Sequence, residues 1–159
     1  MARLGRVSSR IELKEAPRAV ARAAAEAAAD QNALSAARQA LRERRLPDAL
    51  RLATDAVAAA PDSLETRLVL ARVLLEERRD LEAEDEVRRA QDIDPSSTLP
   101  LLERGRIAAR RGALKDAVDA WHRYLATQPS NGSPASAQVR DAADLATRLD
   151  RMLEELADV

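Results

Sequence analysis

Small apolar residues recur along this chain at a fixed interval. Ala49, Ala83 and Ala117 are 34 residues apart, as are Ala53, Val87 and Trp121, then Ala56, Ala90 and Tyr124. Pro61, Pro95 and Pro129 follow twelve residues after each leading alanine, again at intervals of 34. Within each series the apolar positions are four and three apart, the spacing of one helix face. The pattern predicts helices near 31–45, 48–59, 64–78, 82–93, 98–111 and 115–127. Each proline ends one pair and opens the next, because it cannot donate to the preceding turn. A repeat of this length is the mark of stacked helix–turn–helix units.

Local signals sharpen the boundaries. Asp62, Ser63 and Ser97 or Thr98 are candidate N-caps, and Asp62-x-x-Glu65 has the spacing of a capping box. Gly112 marks the turn inside the third unit, and Ser130-Asn131-Gly132-Ser133 is a loop. A seventh helix is predicted over 134–157, with Val139, Ala142, Ala146, Leu149, Leu153 and Leu156 on one face. That face either caps the open edge of the third unit or forms a seam between two copies. At the other end, residues 15–29 read as an alanine-rich helix with Arg18, Arg22, Glu26 and Asp30 four apart, which either extends the first repeat helix or packs as an N-terminal cap. Residues 1–14 are expected to be a disordered tail.

Composition agrees with an all-helical chain. The 159 residues include 35 Ala and 22 Leu, whereas Val, Ile, Thr and aromatics total only 19. That is too little β-forming material for a sheet. The formal charge is −1, so nothing draws the chain as a whole toward nucleic acid or an anionic membrane. There is no cysteine, which excludes disulfides, thiolate metal sites and cysteine nucleophiles. No run of 18 apolar residues and no secretory leader pattern is found, giving an expected cytoplasmic location, or a periplasmic one if a leader has been removed.

The pattern resembles the tetratricopeptide repeat family over residues 30–131, as units 30–63, 64–97 and 98–131. The small–small–Pro series carries the resemblance, with Leu101, Gly105, Gly112 and Leu114 in the third unit. Unit two departs at Arg67, where the family has a large apolar residue, and at Asp80, which replaces an aromatic; Leu81 is the candidate to cover for it. The first helix of unit one has only Ala33, Ala36, Ala37 and Ala40 at its packing positions. The resemblance implies a right-handed α-solenoid with capping helices at both ends.

It also implies a concave groove lined by the first helix of each unit. The matching positions carry Leu34, Leu68 and Leu102; Arg38, Arg72 and Arg106; and Leu41, Arg42, Leu75 and Arg110. The groove would set a leucine stripe beside an arginine ladder, suited to a protein or peptide with apolar and acidic residues. Two plainer origins stay open for the ladder. The chain holds 24 Arg against 2 Lys, as codon usage alone could produce, and the arginines could serve Glu76 or Glu103. The family members that clamp a chaperone tail use Lys and Asn where this chain has Leu34, Arg38, Val69, Leu99 and Glu103, so that pattern is not matched.

Catalytic signals are missing. His122 is the only histidine and is expected on the surface, no phosphate-loop or nucleophile-elbow motif occurs, and four glycines leave little for a phosphate cradle. The sequence therefore points to a non-enzymatic interaction module without cofactor, a bacterial-type adaptor, assembly factor or chaperone, as monomer or homodimer. In architecture it looks like secretion chaperones that hold translocator subunits. One alternative is a self-assembling scaffold using the 139–156 seam. Another is a cell-envelope or cytochrome c biogenesis protein, from the likeness of Trp121-His122-Arg123-Tyr124-Leu125 to the last repeat of such proteins. Nucleic acid is disfavoured, since only Trp121 and Tyr124 could stack on bases.

Overall fold

A computed structural model describes residues 8–128 and 137–157. Seven helices occupy them: α1 Ser8–Arg42, α2 Leu46–Ala59, α3 Leu64–Glu76, α4 Asp80–Ile93, α5 Pro100–Arg110, α6 Leu114–Ala126 and α7 Ala137–Ala157. There is no strand among the described residues. Three-residue turns join α1 to α2, α3 to α4 and α5 to α6, so each pair packs as a helical hairpin. The hairpins stack through α2 on α3 and α4 on α5, with α1, α3 and α5 also in succession, and α7 lies on α6. The result is an all-α helical repeat fold.

Alanine makes this stacking possible. Ala49, Ala53, Ala56, Ala83, Ala90 and Ala117 are wholly inaccessible, and a methyl group at a crossing lets two backbones approach closely. In the third hairpin the small and large roles are at their extremes. Trp121 is buried and its Nε1–H donates to the Leu102 carbonyl at 3.2 Å. A Cβ added at Gly105 would lie 2.1 Å from that same Nε1. Ala37 and Ala71 hold the register positions of Gly105 in the first two hairpins; only the indole requires removal of the last methyl group.

The three hairpin turns are built alike. Arg44, Arg78 and Gly112, each 34 residues apart, have positive φ of 60°, 65° and 77°. The following residues close the helix by bonding back to the first helix: Arg45 N–H to Ala40 O, Arg79 N–H to Leu74 O, and Ala113 N–H to Ala108 O, at 2.9–3.0 Å. This is the left-handed C-terminal closure that favours glycine, yet two of the three positions carry arginine.

Several expectations need correction. Residues 15–29 extend the first repeat helix as one continuous α1 and do not form a separate cap; it begins at Ser8, inside the span expected to be a disordered tail, and residues 1–7 lie outside the described residues. Pro17 lies in the third turn of α1, and no proline or glycine interrupts 18–42 beyond it. The first described side chain to be buried in α1 is Leu34; the described ones from Val20 to Asn32 are exposed. Ser63, not Asp62, caps α3, accepting from Thr66 N–H at 3.4 Å, and Glu65 turns away to Arg38. Leu81 is exposed and does not replace an aromatic. Arg67 takes the apolar position by bonding Glu86 at 2.8 Å and the Pro61 carbonyl at 2.9 Å.

The proposed seam faces inward. Ala142 and Ala146 are buried with Trp121 and Tyr124, and Val139 and Leu149 pack against the same cluster. His122 Nε2 meets Asp150 Oδ2 at 3.1 Å, tying α6 to α7 at the surface. The side chain of Leu156 and residues 129–136, including the anticipated loop and Pro134, lie outside the described residues. The described apolar face of α7 thus packs on the third hairpin.

Two substitutions test this geometry. Gly105→Ala should lower unfolding free energy by about 1–3 kcal/mol, because the indole must shift, as read by urea denaturation. Arg78→Gly should raise stability by about 0.5–1 kcal/mol through relief of the left-handed backbone; an unchanged or lower urea midpoint would contradict that account.

Candidate functional site

The arginines at the ninth position of each first helix, Arg38, Arg72 and Arg106, come from α1, α3 and α5. Their environments differ. Arg38 is half-exposed and meets Glu65 of α3 at 3.1 Å. Arg106 is mostly buried and pairs with Glu103, one turn earlier on α5, at 2.5 Å. Arg72 is half-buried, and no carboxylate among the described residues lies within ion-pairing distance of it. It is near enough to α5 for its charge to act on both Glu103 and Arg106.

Glu103 is the unusual member of this group. It is 6 % exposed, and its Oε2 has no hydrogen-bond partner. Burial holds its carboxyl above the ordinary glutamate range, against the opposing pull of Arg106 and Arg72. Desolvation likewise lowers the Arg106 guanidinium, with Arg72 adding to the effect. Two cations and one buried carboxylate therefore share the junction of α3 and α5, with Glu76 of α3 and Asp141 of α7 acting from its edges.

The leucine stripe is not a surface. Leu34, Leu75 and Leu102 are 2 %, 2 % and 4 % exposed and belong to the core clusters. Leu41 and Leu68 are half-buried and pack against that core. Burying a free leucine would contribute about 1.5–3 kcal/mol, but these side chains have already left water on folding. Arg42 is exposed and bonds Gln39. Arg110 bonds the Leu75 carbonyl and meets Asp80 Oδ1 at 3.0 Å, which clamps the third hairpin onto the second. Of the ten anticipated contact residues, Arg72 alone combines partial exposure, a central place and freedom from an ion pair. Sequence reading missed Glu65, whose part depends on where the next hairpin sets it.

No group of three or more metal-ligating side chains occurs among the described residues, and no described helix is long and apolar enough to cross a membrane.

A stack of two-helix units closed by a further helix defines an α-helical hairpin-repeat protein. Residues 40–100 match the model of the tetratricopeptide repeat family. No curated protein sequence matches the chain. Among solved structures it is similar to the Sgt2 tetratricopeptide domain from Aspergillus fumigatus, at 17% identity and TM-score 0.62 over 82% of each chain. The Arabidopsis OM64 domain is similar at 19% identity and TM-score 0.61, over 80% of this chain and 98% of that one. The first such domain of Spaghetti (RPAP3), bound there to the HSP90 peptide SRMEEVD, aligns at 16% identity and TM-score 0.60, over 79% of this chain and 93% of that one.

The raised Glu103 carboxyl gives a pH dependence of defined sign. The folded state holds this proton more tightly than the unfolded chain does, whose glutamates titrate near about 4.3. The group therefore favours folding below the unfolded value and withdraws that support as pH rises through the folded one. Glu103→Gln should narrow its stability difference from wild type between neutral pH and about pH 4. Urea titrations at both pH values measure this, and a constant difference would refute it.

Proposed function

We propose that this chain is a non-enzymatic protein-interaction module that holds a segment of a partner protein along the face formed by α1, α3 and α5. The observation that carries the reading is Arg72. Its neighbours in the ladder are occupied by Glu65 and Glu103, while Arg72 keeps its charge unpaired in a half-buried setting. There, a ligand carboxylate gains more than the 0–1 kcal/mol or so of an exposed pair. Similar folds hold acidic peptides: RPAP3 is bound to SRMEEVD, and the yeast Sti1 TPR2B domain is in complex with pHsp70. The residues that differ from the tail-clamping pattern, Glu103 above all, argue for an acidic segment other than such a tail.

The reading that every rung of the ladder contacts the partner gives way to a division of labour. Arg38 and Arg106 fix the α1–α3 and α5 surfaces, and Arg72 selects. Recovery of interactors on immobilised protein from native lysate tests this, with wild type beside Arg72→Glu. The variant should keep its helical circular dichroism and lose the specific partner by at least about tenfold, the equivalent of about 1.4 kcal/mol. Equal recovery by both proteins would reject the site.

A further inference from the structure

A second place on the molecule invites a ligand, and the repeat itself supplies its interpretation. A cleft of about 280 Å³ lies among α2, α3 and α4, lined by Leu50, Leu70, Leu74, Glu86 and Arg89 among others. A larger one of about 590 Å³ lies among α4, α5 and α6. The two are the same site one repeat apart: Glu84, Arg104, Ala108, Ala120 and Arg123 of the larger are each 34 residues beyond the five just named.

What fills the first cleft tells what the second lacks. In the first, Leu74 supplies apolar bulk, and Glu86 is bonded by Arg89 at 2.6 Å and by Arg67 at 2.8 Å. In the second, Ala108 stands in the place of Leu74 and Ala120 in that of Glu86. The carboxylate is gone, and of its two arginines one is replaced, Leu101 standing where the first cleft has Arg67, and one is kept: Arg123 is exposed and has no ion-pair partner among the described residues, whereas its counterpart Arg89 has one. Arg104, where the first cleft has Leu70, is likewise exposed and unpaired among them. The floor of the second cleft, Val87, Leu101 and Ile107, is apolar.

We infer that the α4–α5–α6 cleft is a docking site for a partner-protein segment carrying a branched apolar side chain next to an Asp or Glu, which together replace the Leu74 and Glu86 of the first cleft. The apolar group sits over Ala108 and Ala120, and the carboxylate meets Arg123 and Arg104. The far end is closed by the Arg111–Glu84 pair at 2.6 Å. Asp116 and Asp119 lie toward that end, about two turns and one turn of α6 before Arg123. Their charge directs a ligand carboxylate to the arginine end. This site is separate from the face that holds Arg72, so either can fail without the other.

Amide spectra (¹H–¹⁵N) of the full chain, titrated with the blocked dipeptide Ac-Leu-Glu-NH₂, test the inference. Saturable shifts are expected at Arg104, Ala108, Ala120 and Arg123, with a Kd in the millimolar range suited to so small a probe. Binding should weaken at least about fivefold with Ac-Leu-Lys-NH₂, and as much in Arg123→Gln, an exposed position where folding is not at stake. The double variant Ala108→Leu/Ala120→Glu, which supplies the counterparts of Leu74 and Glu86, should lose binding. Absence of saturable shifts would overturn the proposal. So would equal affinity for the two dipeptides, unchanged binding by Arg123→Gln, or shifts confined to the surroundings of Arg72.

Discussion

Close approach of helix backbones is the constraint on which this molecule rests. Alanines with no accessible surface stand at 49, 53 and 56, at 83 and 90, and at 117, and each marks a place where a larger side chain would hold two helices apart. A core built this way buries little area per residue, so it gains from many contacts of low individual worth. No hairpin has enough apolar surface to stand alone. Each is stabilised by the next, and α7 closes the series by covering Trp121 and Tyr124.

Because alanine contributes so little, charge takes over some of the work of registering one hairpin on the next. Arg38 with Glu65, Arg44 with Glu76, Arg110 with Asp80 and Arg111 with Glu84 all join residues about one repeat apart in sequence. Individually such partly exposed pairs contribute modestly, but their placement favours one stacking register over its neighbours. The arginine-rich composition is therefore tied to the architecture as well as to binding, and arginines without a partner stand out against that background.

The period was fully legible because small residues and prolines are punctuation: their positions are fixed by sterics and survive any change in the surface. The helical repeat fold and the helix pairing followed from it, whereas the apolar face of α7 was read from its own spacing, which left cap and seam both open. The binding residues were less so. Leu34, Leu68 and Leu102 carry the right residue type for a groove, and only the packing of the helices shows that Leu34 and Leu102 lie in the core and that Leu68 is half-buried against it. Arg38, Arg72 and Arg106 are equivalent in sequence and unlike in space, because their partners Glu65 and Glu103 come from different elements. The continuity of α1 was one of two readings its composition left open, since an alanine-rich stretch gives no amphipathic boundary to read.

That continuity has a mechanical meaning. α1 is helical for 26 residues before Leu34, the first of its described side chains to be buried, and Pro17 sits in its third turn, where the missing N–H removes one backbone hydrogen bond and favours a kink. The 16 residues from Arg18 to Ala33 carry no such interruption and at the helical rise span about 24 Å. That segment stands off the repeat stack as a handle does from a hook.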